Sequence, residues 1–238
     1  MMEISWIQKV LINWYTLNGR DFPWRQDCSV DPYKILVTEV LLQKTRAEAV
    51  AAIWEKFFEA FPKVTDLSST SPDQVLRVIK ELGLAKRAKR LIEMSRQIVQ
   101  DFNGLIPSEF DELLRLKGVG PYVASAVLCF GFHKAHPIVD VNVMRLINRV
   151  KGYTDERSAR VFIQEIIPTE NPHEFNWALL DLGALVCTFD NPSHIVCPLD
   201  PICPKTPLQV SRWRFLRKHV GKKVRLSLQP YSMKRSTN

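Results

Sequence analysis

The chain has 238 residues, a formal net charge of +8 and a hydrophobic content of 46%. This length suffices for one large domain or two small ones around a shared cleft, and 24% of charged residues argues against disorder. No apolar run approaches the roughly 20 residues of a membrane-spanning helix, and the N-terminus lacks the pattern of a signal peptide. We therefore expect an intracellular protein whose basic surface attracts polyanions such as nucleic acid.

Helical patterns dominate the first hundred residues. Ser71 followed by Pro72 is typical of a helix start, with serine as N-cap and proline in the first helical position. Proline and glycine separate the segments, and we find no convincing alternation of the kind that strands show. The sequence predicts an all-α fold. Apolar residues recur at helical spacing in residues 4–15, 34–43, 47–61, 72–82 and 88–102.

Glu39 is a carboxylate within an apolar predicted helix. Residues 32–45 read PYKILVTEVLLQKT, so apolar side chains cover most of the helix surface. A glutamate there faces an interior or a cleft, where desolvation raises its pKa and keeps a proton available near neutral pH. That property suits a general acid that protonates a departing group. The alternative is a solvated glutamate at the edge of the helix.

A glycine-rich turn separates two predicted helices in residues 110–132, which read FDELLRLKGVGPYVASAVLCFGF. Gly118 and Gly120 allow a tight turn that leaves backbone N–H groups uncovered, and Pro121 suits the first position of the next helix. Uncovered N–H groups at a helix start bind a phosphate. Val119 can pack between the two helices and fix their angle. The pattern favours a phosphate-binding hairpin over an ordinary turn between helices.

Asp140 follows a short extended piece that Pro137 opens, and precedes another helical pattern. An aspartate in this position is usually the N-cap of the helix. The residue types alone therefore favour a cap.

Three of the five cysteines lie within seventeen residues near the end of the helical region. An odd number of cysteines in an intracellular chain argues against a disulfide framework. The cluster of Cys187, Cys197 and Cys203 instead suggests a metal site.

These motifs together resemble the helix-hairpin-helix (HhH-GPD) DNA glycosylase superfamily. The hairpin, the sequence P-I-V-D-x-N-V-x-R around Asp140 and the cysteine cluster occur in the order and at the spacing of that superfamily, over roughly residues 5–205. The superfamily includes endonuclease III, the MutY adenine glycosylases and the mismatch-specific thymine glycosylases. The resemblance implies an enzyme that flips a base out of duplex DNA and hydrolyses its bond to the sugar.

The resemblance also implies the domain organisation. A six-helix subdomain with the hairpin is expected over residues 24–132, and a cluster subdomain is expected from residues 1–23 together with 133–205. A DNA-binding cleft would lie between them. Residues 206–238 form a strongly basic C-terminal extension that can contact phosphates or simply be solvated.

Asp140 matches the aspartate that the superfamily uses for catalysis. Breaking an N-glycosidic bond builds positive charge on the sugar, and a neighbouring carboxylate stabilises that charge and can orient the attacking water. Glu39 matches the glutamate that protonates adenine in the MutY branch, and the thymine-specific relatives retain it. Capping and catalysis by Asp140 are compatible.

Tyr122 occupies the position where bifunctional relatives carry a lysine that forms a Schiff base. A phenol cannot form an imine with a sugar aldehyde, so the resemblance implies a monofunctional enzyme; Lys117 and Lys134 leave room for weak lyase activity. Tyr122 is also similar to the thymine-specific branch and is expected to line the base pocket. The ordinary alternative is a partly buried helix aromatic.

The resemblance also assigns the residues that contact DNA. Gln43 matches the residue that fills the gap left by the flipped base, against the alternative of a surface glutamine. The other DNA contacts are expected from Lys117, Gly118, Val119, Gly120 and Asn142.

The superfamily binds a [4Fe–4S] cluster through C-x6-C-x2-C-x5-C. This chain keeps the spacing as Cys187, His194, Cys197 and Cys203, with histidine in the second position. Histidine ligates iron in some iron–sulfur centres, and a Cys3His set also suits zinc. A cluster with a histidine ligand, zinc, and no metal remain open.

The function that the sequence favours is hydrolysis of thymine or uracil mispaired with guanine. One alternative is a MutY-like adenine glycosylase, although the roughly 35 residues after the cluster are too few for the C-terminal recognition domain of MutY. Another alternative is a non-catalytic DNA-binding protein. The expected partner is double-stranded DNA with a mismatch or lesion. We expect a monomer in the cytoplasm of a prokaryote, associated with the nucleoid.

Overall fold

A computed structural model describes residues 2–26, 31–83 and 86–205. These residues form helices and contain no strand, so the predicted all-α fold is confirmed for the part described. The basic extension 206–238 lies outside the described residues. The α-helices are α1 (Met2–Asn18), α2 (Pro32–Leu42), α3 (Ala47–Ala60), α4 (Val64–Ser69), α5 (Pro72–Ile79), α6 (Lys86–Phe102), α7 (Phe110–Leu114), α8 (Pro121–Ala126), α9 (Val141–Lys151), α10 (Glu156–Ile166) and α11 (Pro172–Leu185).

Short turns complete the described architecture. A π-helical turn, Val127–Gly131, continues α8, and 3-10 turns occur at Pro23–Arg25, Lys80–Leu82, His194–Val196 and Asp200–Ile202. No helix in the described ranges combines the length and apolar character needed to cross a bilayer.

Local capping explains where several helices begin. The predicted start of α5 is confirmed: Ser71 Oγ accepts from the Gln74 N–H at 3.4 Å, while Gln74 Oε1 accepts from the Ser71 N–H at 3.0 Å. This reciprocal pair satisfies two backbone donors that the first helical turn leaves without partners. Asp31 caps α2 by accepting from the Tyr33 N–H at 2.8 Å.

Helix α2 lies at the centre of the core. Its residues from Tyr33 to Leu41 are largely buried, and α2 packs against α3, α6, α8 and the π-helical turn. Fully buried aliphatic side chains of this kind stabilise a fold by roughly 1.5–3 kcal/mol each. This packing fixes the position of Glu39, which points inward from the same helix.

The N-terminal helix packs on the later part of the chain: α1 contacts α11 and α10, and α11 contacts α9. The close approach of α9 and α11 depends on Gly183. A Cβ atom at Gly183 would lie 2.9 Å from the Asn142 carbonyl group. Because Gly183 has no side chain, the backbone of Asn142 can lie directly against α11. The proposed division into two subdomains stays a prediction.

Candidate active site

One open pocket lies beside the buried helix α2, and we call it the central pocket. Aromatic side chains form much of its lining, and two carboxylates and two guanidinium groups contribute its charge. Residues from α2, α8, α9, α11 and the Pro23–Arg25 turn meet there, although they are far apart in sequence. The lining residues are Arg20, Phe22, Trp24, Arg25, Glu39, Leu42, Thr45, Ala47, Tyr122, Phe130, Asp140, Asn142, Trp177 and Leu180.

Glu39 is 5% exposed and lines the central pocket. Burial raises its pKa to about 7, the charge of Arg25 lowers it, and the charge of Asp140 raises it. Its Oε2 atom is buried and has no hydrogen-bond partner in the described structure. A carboxyl with this pKa carries a proton in about half of the molecules near neutral pH, as a general acid requires.

Asp140 is the N-cap of α9 and also lines the central pocket. Its Oδ1 accepts from the Asn142 N–H at 2.9 Å and from the Val143 N–H at 2.7 Å. Burial raises the pKa of this carboxyl, and these hydrogen bonds together with that from the Asn142 side chain lower it. The cap predicted from the sequence is confirmed, and the same carboxylate is available to chemistry in the pocket.

A chain of hydrogen bonds connects Asp140 to the cysteine region. Asn142 Nδ2 donates to Asp140 Oδ2 at 2.9 Å, and Arg145 Nη2 donates to Asn142 Oδ1 at 2.9 Å. The same guanidinium donates to the carbonyls of Gly183 at 2.6 Å and Cys187 at 2.7 Å. Asn142, predicted as a DNA contact, therefore lines the pocket and holds the Asp140 carboxylate.

Tyr122 follows Pro121 in the first turn of α8 and lines the central pocket. Burial raises its pKa well above its usual value, and the nearby Glu39 and Asp140 carboxylates raise it further. The phenol therefore stays protonated across the physiological range and can donate a hydrogen bond. The residues that line the central pocket do not include a lysine.

The lysines nearest to this region in sequence form ion pairs outside the pocket. Lys117 Nζ lies 3.8 Å from a carboxylate oxygen of Glu93, and Lys134 Nζ lies 2.9 Å from one of Glu109. The Lys134 ammonium also donates to the Ser108 carbonyl. Neither ammonium is part of the pocket lining.

Sequence reasoning missed the ion-pair cluster at one side of the pocket. Asp181 is fully buried in α11 and pairs with both Arg20 and Arg25, at 2.7 and 2.8 Å. A sequence signal exists, because Asp181 lies within the apolar residues 178–185 just as Glu39 lies within the apolar helix α2. A carboxylate in an apolar helix needs a buried partner, and the two arginines supply it.

The glycine hairpin has the geometry that its sequence predicts. Gly118 has φ of +85°, and a Cβ atom there would lie 2.5 Å from Cδ of Arg90 on α6. Val119 is buried, and its N–H donates to the Leu116 carbonyl at 3.1 Å. Within the described chain, the backbone N–H groups of Gly118 and Gly120 have no hydrogen-bond partner.

Gln43 connects the end of α2 to this hairpin. Its Nε2 donates to the Gly118 carbonyl at 3.1 Å, and its Oε1 accepts from Arg90 Nη1 at 2.9 Å. Arg87 Nη2 donates to the Gln43 carbonyl at 2.6 Å and to Thr45 Oγ1 at 2.9 Å. The turn that carries Gln43 therefore joins the hairpin to the rim of the central pocket, where Leu42 and Thr45 lie.

The four predicted metal ligands line a second cavity. Cys187, His194, Cys197 and Cys203 share its wall with Arg149. Arg149 is buried, and its Nη1 lies 3.3 Å from Cys187 Sγ, so a guanidinium group faces this sulfur. Among the described residues, no three Cys, His, Asp or Glu side chains converge closely enough to hold a single metal ion.

Comparison with protein families finds a match over more than half of the chain. The model described as HhH-GPD superfamily base excision DNA repair protein matches residues 37–168. The thymine/uracil-DNA glycosylase of Methanothermobacter thermautotrophicus is 34% identical over 204 residues, which cover 83% of this chain and 91% of that protein.

An adenine DNA glycosylase is also similar. The protein of Mycobacterium tuberculosis is 40% identical over 197 residues, covering 80% of this chain. The match spans only 64% of the length of that relative.

Solved structures share the fold. The structure of a thermostable thymine-DNA glycosylase superposes with a TM-score of 0.80 at 31% identity, covering 86% of this chain and 96% of that one. A trapped complex of endonuclease III with DNA reaches a TM-score of 0.72 at 20% identity, covering 86% and 95%, which shows similarity of fold alone.

Proposed function

The chain belongs to the HhH-GPD superfamily of base excision DNA repair proteins, and from this premise we propose that it is a monofunctional DNA glycosylase. Its substrate is thymine or uracil mispaired with guanine in double-stranded DNA. The observation that carries the proposal is the meeting of Glu39, Tyr122 and Asp140 in the central pocket. The relatives named thymine- or thymine/uracil-DNA glycosylase support the choice of base.

Asp140 supplies the negative charge that the reaction needs. As the bond between base and sugar breaks, positive charge develops on the sugar, and a carboxylate held in the pocket stabilises it. The hydrogen bonds from Asn142 and Val143 keep the Asp140 carboxylate oriented and oppose the rise in its pKa that burial causes. The ionised carboxylate can also orient a water molecule toward the sugar carbon.

Glu39 acts on the leaving base. Its raised pKa leaves a proton available near neutral pH, and transfer of that proton to a carbonyl oxygen of the base neutralises the charge that the departing base gains. Tyr122, held protonated by burial, donates a hydrogen bond within the same pocket. Because a phenol forms no imine, the reaction stops at base release and leaves the strand intact.

The hairpin binds the DNA backbone. The N–H groups of Gly118 and Gly120 are free for a phosphate oxygen. Val119 lies between these two glycines, and Lys117 directly precedes them. Gln43, which directly follows the rim residue Leu42, enters the gap that the flipped base leaves. The protein acts as a monomer on DNA in the cytoplasm of a prokaryotic cell; bacterial and archaeal relatives support this placement.

Cys187, Cys197, Cys203 and His194 would hold a [4Fe–4S] cluster. The buried Arg149 guanidinium beside Cys187 Sγ supports an anionic group at this place. When bound, the cluster supplies structural stability rather than reaction chemistry. The loop that would hold the cluster follows α11, and Arg145 and Arg149 donate to the carbonyls of Cys187 and Thr188 in that loop.

The test is a single-turnover assay on duplexes with thymine, uracil, adenine or an oxidised base opposite each normal base, with and without alkali. Strand breaks that need alkali and arise from G·T and G·U support the proposal. Strand breaks without alkali would contradict the monofunctional assignment. Binding without release of any base would favour a non-catalytic DNA-binding protein.

Adenine excision is the second candidate. The 40% identity to the mycobacterial adenine DNA glycosylase favours it, and Glu39 is compatible with protonation of a purine nitrogen. Release of adenine in the same assay, with thymine and uracil left in place, would select this function.

A further inference from the structure

We infer that Arg25 reads the O4 carbonyl of the flipped pyrimidine and thereby rejects cytosine, an inference that rests on the proposed excision of thymine and uracil. Cytosine carries an amino group where uracil and thymine carry O4. An enzyme that acts on G·U and G·T duplexes must leave the normal G·C pair intact. A donor placed opposite this ring position makes that distinction.

The Arg25 guanidinium is held rigidly at the wall of the central pocket. Its Nη1 donates to Asp181 Oδ2 at 2.8 Å and to the Arg20 carbonyl at 3.2 Å, and its Nη2 donates to Asp181 Oδ1 at 3.2 Å. Its Cζ atom lies 5.3 Å from the ring centre of Phe22 and 5.4 Å from that of Trp177. Two aromatic faces and one carboxylate therefore fix it before any base enters.

One donor of this fixed group has no partner. The side chain of Arg25 is 7% exposed, and its Nε–H makes no hydrogen bond in the described structure. A buried donor without a partner has a free-energy cost, because nothing replaces the hydrogen bond that it makes to water in the unfolded chain. A carbonyl oxygen of the base would remove that cost, whereas an amino group would bring two donors together.

The chemistry of the arginine side chain makes this recognition of the base unambiguous. A guanidinium has N–H donors and no acceptor, and it does not lose its charge in proteins. It therefore donates to a carbonyl oxygen and opposes an amino group. A serine or an amide could rotate to present the opposite polarity, and Arg25 cannot.

The chemistry of the base favours O4 over O2 as its partner. O2 is attached beside the nitrogen that leaves the sugar, and we assign it as the carbonyl oxygen that receives the Glu39 proton. Cytosine also carries O2, so a donor to O2 would not separate it from uracil. Of the two carbonyl oxygens, only O4 distinguishes uracil and thymine from the normal base.

The experiment is a double-mutant cycle in which one change is made in the protein and the other in the substrate base. Single-turnover excision is measured on duplexes with uracil, 4-thiouracil or 2-thiouracil opposite guanine, with the wild type, Arg25→Gln and Arg20→Gln. Sulfur accepts hydrogen bonds more weakly than oxygen, so 4-thiouracil weakens the contact without changing the ring. The ratio of two substrates on one protein cancels differences in folding, and comparison of that ratio between the wild type and a variant cancels the difference in leaving-group strength.

We expect the wild type to excise 4-thiouracil roughly 10-fold or more slowly than uracil, beyond any difference that Arg25→Gln shows between the same two substrates. An effect of this size is expected for a hydrogen bond to a charged donor. Arg20→Gln is the matched control, since Arg20 pairs with the same Asp181 but its Nε already donates to Asp181 Oδ1 at 2.8 Å; its sensitivity to 4-thiouracil should persist.

Equal sensitivity to 4-thiouracil in the wild type and Arg25→Gln would overturn the inference. The inference would also be overturned if Arg25→Gln changed the sensitivity to 2-thiouracil and not the sensitivity to 4-thiouracil. If the wild type released uracil normally while one of these outcomes held, only the role of Arg25 would fall. If it released neither uracil nor thymine, the proposed function and this inference would fall together.

Discussion

Asn142 binds both oxygens of the Asp140 carboxylate, with its backbone N–H on Oδ1 and its side-chain Nδ2 on Oδ2, each at 2.9 Å. One residue therefore fixes the plane of the carboxylate that faces the central pocket. Arg145 in turn holds the Asn142 amide at 2.9 Å, so the orientation of Asp140 depends on the packing of α9 against α11.

The substitution Asp140→Asn should abolish base release while DNA binding is retained. Asparagine caps a helix about as well as aspartate, so α9 should still form, but the charge that stabilises the developing cation is gone. We expect the single-turnover rate to fall by roughly 100-fold or more. Binding to the same duplex, measured by fluorescence anisotropy, should change little.

Asp155→Asn is the matched control for that prediction. Asp155 caps α10 by accepting from the Ser158 N–H at 2.8 Å, and it is not part of the pocket lining. This variant should excise bases at the wild-type rate. Substantial activity in Asp140→Asn would remove Asp140 from the mechanism.

The excision rate should fall as pH rises through about 7, because Glu39 loses its proton there. Glu39→Gln carries no transferable proton and should be slow at every pH, with a flat profile. Rates measured from about pH 5.5 to about pH 8.5 test this prediction. A wild-type rate that keeps rising above pH 7 would argue that Glu39 is not the acid.

Stability provides an independent readout of the same carboxyl. Its ordinary pKa of 4.5 rises to about 7 in the folded protein, so between these pH values the unfolded chain loses a proton that the folded chain keeps. The contribution of Glu39 to the free energy of unfolding therefore falls as pH rises through this window. Relative to the wild type, Glu39→Gln should gain up to about 3 kcal/mol between about pH 4 and about pH 8, measured by urea unfolding.

Much of this site could be predicted because each signal is local. The cap at Asp140, the hairpin at Gly118 and the apolar surroundings of Glu39 are visible within a few residues of sequence. The wall formed by Arg25, Trp177 and Asp181 was missed because its members meet only through the packing of a 3-10 turn on α11. Likewise, no local pattern shows that the Gln43 side chain is bound to the hairpin.

Tyr122→Lys should introduce strand cleavage that needs no alkali. The tyrosine lines the same pocket as Asp140 and Glu39, so a lysine amine there reaches the sugar carbon that base release exposes. An amine forms an imine with that sugar, and borohydride reduces the imine to a stable covalent complex. Trapped complex in the variant and none in the wild type is the expected result.

Lys117→Ala within the Tyr122→Lys background is the control, because the Lys117 ammonium pairs with Glu93 outside the pocket. Trapping should persist in the double variant. If trapping in the wild type depended on Lys117, the monofunctional assignment would be wrong.

Protein isolated without oxygen should contain iron and acid-labile sulfide in equal amounts and little zinc. His194→Cys restores a thiolate at the second ligand position and should retain the cluster, whereas His194→Ala should lose iron and unfold at a lower temperature. Cys129→Ala is the control, since Cys129 contacts Asn176 away from the cavity. Zinc in place of iron, or no metal in any variant, would reject the cluster.

Gln43→Ala should slow excision from duplex DNA much more than excision from single strands. Gln43 bridges the Gly118 carbonyl and Arg90, so its side chain must leave the hairpin before it can enter a base stack. Extruding a base from a duplex costs a few kcal/mol, and an inserted side chain offsets part of that cost. We expect roughly a 10-fold loss on a G·U duplex, equal to about 1.4 kcal/mol, and little loss on single-stranded uracil, which has no stack to fill.

Gln97→Ala separates insertion from support of the hairpin. Gln97 also binds the hairpin backbone, donating to the Arg115 carbonyl and accepting from the Lys117 N–H, each at 3.0 Å, but it lies outside the pocket rim. Loss of hairpin support weakens DNA binding, whereas loss of insertion lowers the fluorescence of a 2-aminopurine placed beside the target. If Gln43→Ala matched Gln97→Ala in both measurements, Gln43 would serve only as a tether, and another residue of its turn would fill the gap.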